Sequence, residues 1–110
     1  MSSPKYYTRE TDGTIREAET LNDVLSAMED FENRCLIART MIDDVCLVST
    51  IFVCLDHSSL LYGEGEPVLF ETVVFGGPHN LEQVHYSTEE EARIGHDAIV
   101  DQLRQVAREG

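Results

Sequence analysis

The 110-residue chain predicts an α+β fold: an antiparallel sheet of about four to six strands with two helices, one N-terminal and one C-terminal. Three observations carry that prediction. Val45–Gly77 reads VCLVSTIFVCLDHSSLLYGEGEPVLFETVVFGG, two apolar β-type runs joined by a polar, Gly-rich loop. Leu21, Val24, Leu25, Met28 and Phe31 recur at helical spacing. Ser87-Thr88-Glu89-Glu90 reads as a capping box opening a second helix. At this length one domain spanning residues 1–110 is expected.

Taken in chain order, the Asp12-Gly13 dipeptide flanked by Tyr, Thr and Ile predicts a short hairpin, Tyr6–Arg9 against Thr14–Glu17. Thr20 is placed as an N-cap with Asp23 three positions on, starting an amphipathic helix over Leu21–Glu32. Its outer face carries Asp23, Glu29, Asp30 and Glu32. Arg34–Met41 is the next strand, and Asp43-Asp44 a tight connection to Val45–Leu55, the longest one. The segment Asp56–Pro67 is dense in turn formers. Val68–Phe75 follows, ended by Gly76-Gly77-Pro78, and then a short strand, Glu82–Tyr86. In the last helix Ser87 is placed as the cap, accepting from the Glu90 amide, and Glu89 to Glu91 favour the positive end of the dipole. Ala92, Gly95, His96, Ile99, Leu103 and Val106 form its inward stripe, with Arg104 and Arg108 near the C-terminal end.

Both alternating faces of the long strands are apolar. Val45, Leu47, Ile51, Val53 and Leu55 share one face, and Cys46, Val48, Phe52 and Cys54 the other. Two helices normally cover one sheet face. A second copy is therefore expected over the other, in a dimer or higher homo-oligomer; a helix on each face is the alternative.

Charge narrows the function classes. There are 21 acidic and 8 basic residues, a net of −13, and Lys5 is the sole lysine. Such a surface repels nucleic-acid phosphate and anionic membranes, so neither is an expected partner. Solubility or an acidic host proteome explains the balance; mimicry of a polyanion such as DNA is the sharper alternative. No apolar run reaches membrane-spanning length and the first residues hold no signal-peptide pattern, so a cytoplasmic protein is expected. Cys35, Cys46 and Cys54 read as small core residues of a reducing compartment. On one extended strand Cys46 and Cys54 would stand about 27 Å apart, beyond disulfide reach.

Glu71 sits inside an apolar run, where an ionised carboxylate costs several kcal/mol unless paired. Asp56 and His57 end the neighbouring strand, and His85 and His96 follow. Convergence of Asp56, His57, Glu71 and His96 would make a small metal-dependent hydrolase. Against it, no H-x-x-x-H, H-E-x-x-H or C-x-x-C spacing occurs. The competing expectation is that Glu71 pairs with Arg39 or a backbone donor and that His96 is a satisfied core or interface residue. No catalytic residue, cofactor or metal is expected. Asp56, His57, Glu71, Tyr86 and His96 are carried forward as binding candidates, Tyr86 because tyrosines beside polar segments serve contact surfaces.

Several strings resemble a family of small tailed-bacteriophage and prophage proteins. They are Val48-Ser49-Thr50 leading to Asp56-His57; Pro67, Phe70-Glu71-Thr72 and Val74-Phe75-Gly76-Gly77; and Tyr86-Ser87-Thr88, Glu91-Ala92 and Gly95-His96. The resemblance covers about residues 45–100; the first 40 residues match loosely, and Ser58–Tyr62 departs from the family's short loop. It carries over no catalytic residues. It implies a non-catalytic interaction protein of the host cytoplasm that inhibits a defence component, by stoichiometric binding of a host protein or by sequestering a small signalling ligand. Holding a phosphorylated ligand would fall to Arg39, Arg93, Arg104 and Arg108. A virion or assembly component is the third reading.

Overall fold

Turn chemistry at Asp12-Gly13 brings the chain back on itself at the N-terminus. Gly13 takes φ +93°, and Asp12 Oδ1 accepts from the Thr14 amide at 2.9 Å. Strands β1 (Tyr7–Arg9) and β2 (Ile15–Glu17) result, pairing antiparallel with Thr8 opposite Arg16. The computed structural model describes residues 5–56 and 67–109.

Thr20 caps α1 (Leu21–Glu29) through a capping box with Asp23. The helix is shorter than the apolar spacing predicts. Asp30 leaves the helical region at φ −99°, ψ 46°, and a second, four-residue helix α2 (Phe31–Arg34) restarts beyond it. The buried residues of α1 are Val24 and Ala27, whereas Leu21, Leu25, Met28 and Phe31 are exposed by 65%, 49%, 56% and 37%. The expected inward stripe thus points largely to solvent.

Four strands follow in meander order: β3 (Leu36–Asp43), β4 (Cys46–Phe52), β5 (Phe70–Phe75) and β6 (Gln83–Tyr86), all antiparallel to their neighbours. The α+β prediction holds, with two sheets and a third, short helix. β4 is shorter than expected because beyond Phe52 the chain swings to the hairpin: Tyr7 donates to Cys54 O at 2.7 Å and Tyr6 bridges Leu55. Gly76 (φ +86°) lies against the β3–β4 turn so closely that a Cβ would run into the Val45 carbonyl.

Helix α3 (Glu89–Glu109) covers one face of this sheet and packs on all four strands. Its cap is Thr88 rather than Ser87: Thr88 Oγ1 accepts from the Glu91 amide at 3.1 Å. Tyr86 is what demands Gly95, since a Cβ there would enter the Tyr86 ring. Alternation sends Cys46, Val48, Thr50 and Phe52 inward, and Phe70, Thr72 and Val74 beside them. Two apolar clusters form under the helix. One holds Ile37, Phe52, Leu69, Phe70 and Ala92, with Phe52 and Phe70 edge to face at 5.5 Å. The other holds Cys46, Val48, Val74, Val100 and Leu103. Val106, expected on the inward stripe, is 42% exposed near the helix end. Burying each large side chain fully contributes about 1.5–3 kcal/mol.

The opposite sheet face is less apolar than the alternating pattern implies, and no described helix packs across β4 and β5 on that side. It carries Arg39, Ser49, Val73 and Gln83 in one row and Leu36, Ile51, Glu71 and His85 in another. Met41, Leu47 and Phe75 form a third, with Met41 and Phe75 exposed by 54% and 45%. Tyr7 packs into the first cluster and Arg9 meets Glu89 at 2.8 Å, so both sides of β1 are used: alternation turns Tyr6 and Thr8 away, Tyr6 toward Val24 of α1.

Two stability changes follow. Gly76→Ala is expected to cost at least about 2 kcal/mol, since it combines strained φ with a backbone clash; urea unfolding measures it. Thr8 Oγ1 is buried and meets no hydrogen-bond partner among the described residues. Thr8→Val keeps the shape and removes the unsatisfied hydroxyl, so the same titration should show a gain of about 1 kcal/mol.

Candidate functional site

The two clusters beneath α3 are separated by a polar layer. His96 projects from the helix between Ala92 and Val100 and is 2% exposed. Its Nδ1 lies 2.7 Å from Thr50 Oγ1 and its Nε2 2.9 Å from Thr40 Oγ1, while Thr50 Oγ1 is 2.5 Å from Thr72 Oγ1. A neutral imidazole offers one donor and one acceptor. With the proton on Nδ1, His96 donates to Thr50, Thr50 to Thr72, and Thr40 to Nε2. With the proton on Nε2, every arrow reverses and every group is still served. Burial pushes the His96 pKa below its ordinary value, against a smaller opposing pull from Asp97. His96 is therefore a satisfied core histidine.

The other binding candidates scatter. Asp56 Oδ1 accepts from the Val68 amide at 3.0 Å and so ties the residues after β4 to those before β5. His57 lies outside the described residues. Glu71 faces the opposite side of the sheet from Thr72, hence from His96, and its Oε2 sits 3.3 Å from His85 Nε2 across the β5–β6 pair. The expected Arg39 partner is instead 3.5 Å from Glu32. Tyr86 lies against Gly95 on the helix side. A hydrolase centre built on Glu71 together with His96 is thus divided by the sheet itself. Among the described residues no three His, Cys, Asp or Glu side chains gather as a metal-ligand set.

What the structure does assemble is a groove. Between the α1–α2 corner and the end of β4 lies an apolar cavity of about 330 Å³, lined by Tyr6, Val24, Met28, Phe31, Cys35 and residues 51–55. Its size is that of a side-chain or small-ligand pocket. Exposed Met28, Phe31 and Tyr6 mark its mouth, and the outward stripe of Leu21 and Leu25 continues from it along α1. Glu29, Asp30 and Glu32 adjoin Met28 and Phe31 in the chain. The helical spacing of Leu21, Leu25 and Met28 signals this apolar stripe in the sequence, but not that it faces outward.

Cations are sparse, and five arginines are already engaged. Arg9 and Arg93 both hold Glu89, each at 2.8 Å. Together they draw the Glu89 pKa below its usual value against the opposing and largest single effect, burial. Arg34 and Arg16 meet Glu10 at 3.5 and 2.9 Å. No described helix is long and apolar enough to cross a membrane. Comparison with protein-family models, curated proteins and solved structures finds no match to this chain.

The buried histidine makes a pH prediction. The unfolded chain takes up a proton at about pH 6.5, whereas folding disfavours the charged ring, so the unfolded state binds more protons in this window. Stability contributed by neutral His96 is complete above about pH 6.5 and falls as pH drops toward the lowered folded value. Urea unfolding at pH 7.5 and 5.5 should show this loss, and His96→Gln should remove that component of the pH dependence.

Proposed function

We propose that this chain is a non-catalytic interaction protein that binds a partner protein stoichiometrically through the α1–β4 groove. The observation that carries this reading is the groove itself: an apolar cavity continued by an outward apolar stripe on a helix that also bears acids. Monomeric surfaces rarely leave such a stripe uncovered. The occupant that fits is an amphipathic, basic segment, its apolar side chain in the cavity and its cations against Glu29 and Asp30. The net charge of −13 favours the same sign of partner.

A phosphorylated signalling ligand fits less well, because Arg39 and Arg93 are tied to Glu32 and Glu89 and the groove lining is apolar. DNA mimicry needs ordered acids rather than an oily cavity. A second copy carries the same net charge of −13, which opposes self-association over the groove. The resemblance to tailed-phage proteins supplies the cellular setting: inhibition of a host defence component in the cytoplasm by occupying a basic surface.

Titration calorimetry with a synthetic Leu/Lys amphipathic helix, against a scrambled peptide of the same composition, tests the reading. Binding of the amphipathic peptide alone, weakened at least about tenfold by Met28→Asp (about 1.4 kcal/mol) and weakened by salt, is expected. Equal binding of both peptides, or indifference to Met28→Asp, overturns it. So does a dimer in light scattering that Met28→Asp dissolves, which would place a second copy in the groove.

A further inference from the structure

Cys35 and Cys54 reach the same groove from different parts of the chain. Phe52 donates to Cys35 O at 2.7 Å, which sets Cys35 beside the end of β4, two residues before Cys54. Both line the cavity. Cys35 is 3% exposed and its Sγ lies 3.6 Å from Ala27 O. Cys54 is half-buried and packs against the first core cluster. The third thiol, Cys46, belongs to the other cluster.

We propose that Cys35 and Cys54 are a dithiol that a hydroperoxide converts to an intramolecular disulfide, a modification site within the groove. Cys54 is the attacking sulfur. The neighbouring Cys35 thiol pulls its pKa down to about 7, and the Arg34 guanidinium adds to this against the cost of burial. The Cys54 neighbour, then burial, push Cys35 up. A thiolate that is partly exposed beside a second thiol is the arrangement that peroxide sensors use.

The chemistry balances in two steps. Cys54 thiolate attacks one peroxide oxygen, the O–O bond breaks, and the departing oxygen takes a proton and leaves as water or alcohol. Cys54 is then a sulfenic acid, oxidised by two electrons. Cys35 sulfur attacks the Cys54 sulfur, the S–OH bond breaks, and the hydroxide leaves as water with the Cys35 proton. One hydroperoxide is reduced and two thiols become one disulfide. Closing the S–S bond to about 2.05 Å draws the start of β3 against the end of β4 and removes both thiols from the lining.

The test needs no partner and stands apart from the proposed binding function. The full chain is treated with stoichiometric hydrogen peroxide, unfolded, alkylated and mapped by mass spectrometry. The expected product is a monomer that has lost two hydrogens, alkylated at Cys46 alone, with a Cys35–Cys54 linked peptide that dithiothreitol releases. Cys46→Ser should behave the same, and Cys35→Ser should stop at a Cys54 sulfenic acid that dimedone traps. Three alkylatable thiols after treatment, a disulfide involving Cys46, or a disulfide-linked dimer would each overturn the assignment.

Discussion

A polar layer in an otherwise apolar interface governs how α3 sits on the sheet. Three threonine hydroxyls, from β3, β4 and β5, are turned toward the helix, and His96 ties the layer to α3 through Thr40 and Thr50. Each such group left unsatisfied in the core costs about 1–3 kcal/mol. Sliding the helix by one turn would put Ala92 or Val100 over the threonines and leave those hydroxyls stranded. Apolar packing alone tolerates such shifts; a hydrogen-bonded row does not. The clusters on either side are thereby placed as well, with Ala92 over the phenylalanines and Val100 over Val48 and Val74.

Much of this architecture was legible in the residues. The hairpin follows from Asp12-Gly13, and the four-stranded order from apolar runs broken by turn residues. The phase of α1 was not legible. Leucines and methionine at helical spacing outweigh Ala27 in any hydrophobic pattern, yet the small residue is the one that lets the chain at Cys35 approach. Ser87-Thr88 offers two hydroxyls in succession, and only the backbone path selects Thr88. In the candidate site, Glu71 opposite His85 is a matter of register. The separation of Glu71 from His96 is strict alternation: the next residue, Thr72, faces the helix with Thr50. Neither the groove nor the Cys35–Cys54 approach has a sequence signal, because both depend on the helical backbone at Cys35 and on the bulge near Ile37.

Charge is distributed with the same economy. Arg9, Arg16, Arg34, Arg39 and Arg93 each face a carboxylate within the chain. Acids outnumber Lys and Arg 21 to 8, so the molecular field is negative overall. Such a field accelerates encounter with a basic molecule and discourages contact with phosphate. It acts at long range, whereas the groove acts on contact.

The Arg9–Glu89 ion pair closes the longest loop among these contacts, joining positions 80 residues apart. Strands β3 to β6 are neighbours in space in the order they are neighbours in sequence, so their pairing needs only local closures. The N-terminal hairpin cannot find Glu89 until α3 exists. During synthesis that ion pair must therefore wait for the start of α3, whereas the groove, walled by residues between Tyr6 and Leu55, can close before it.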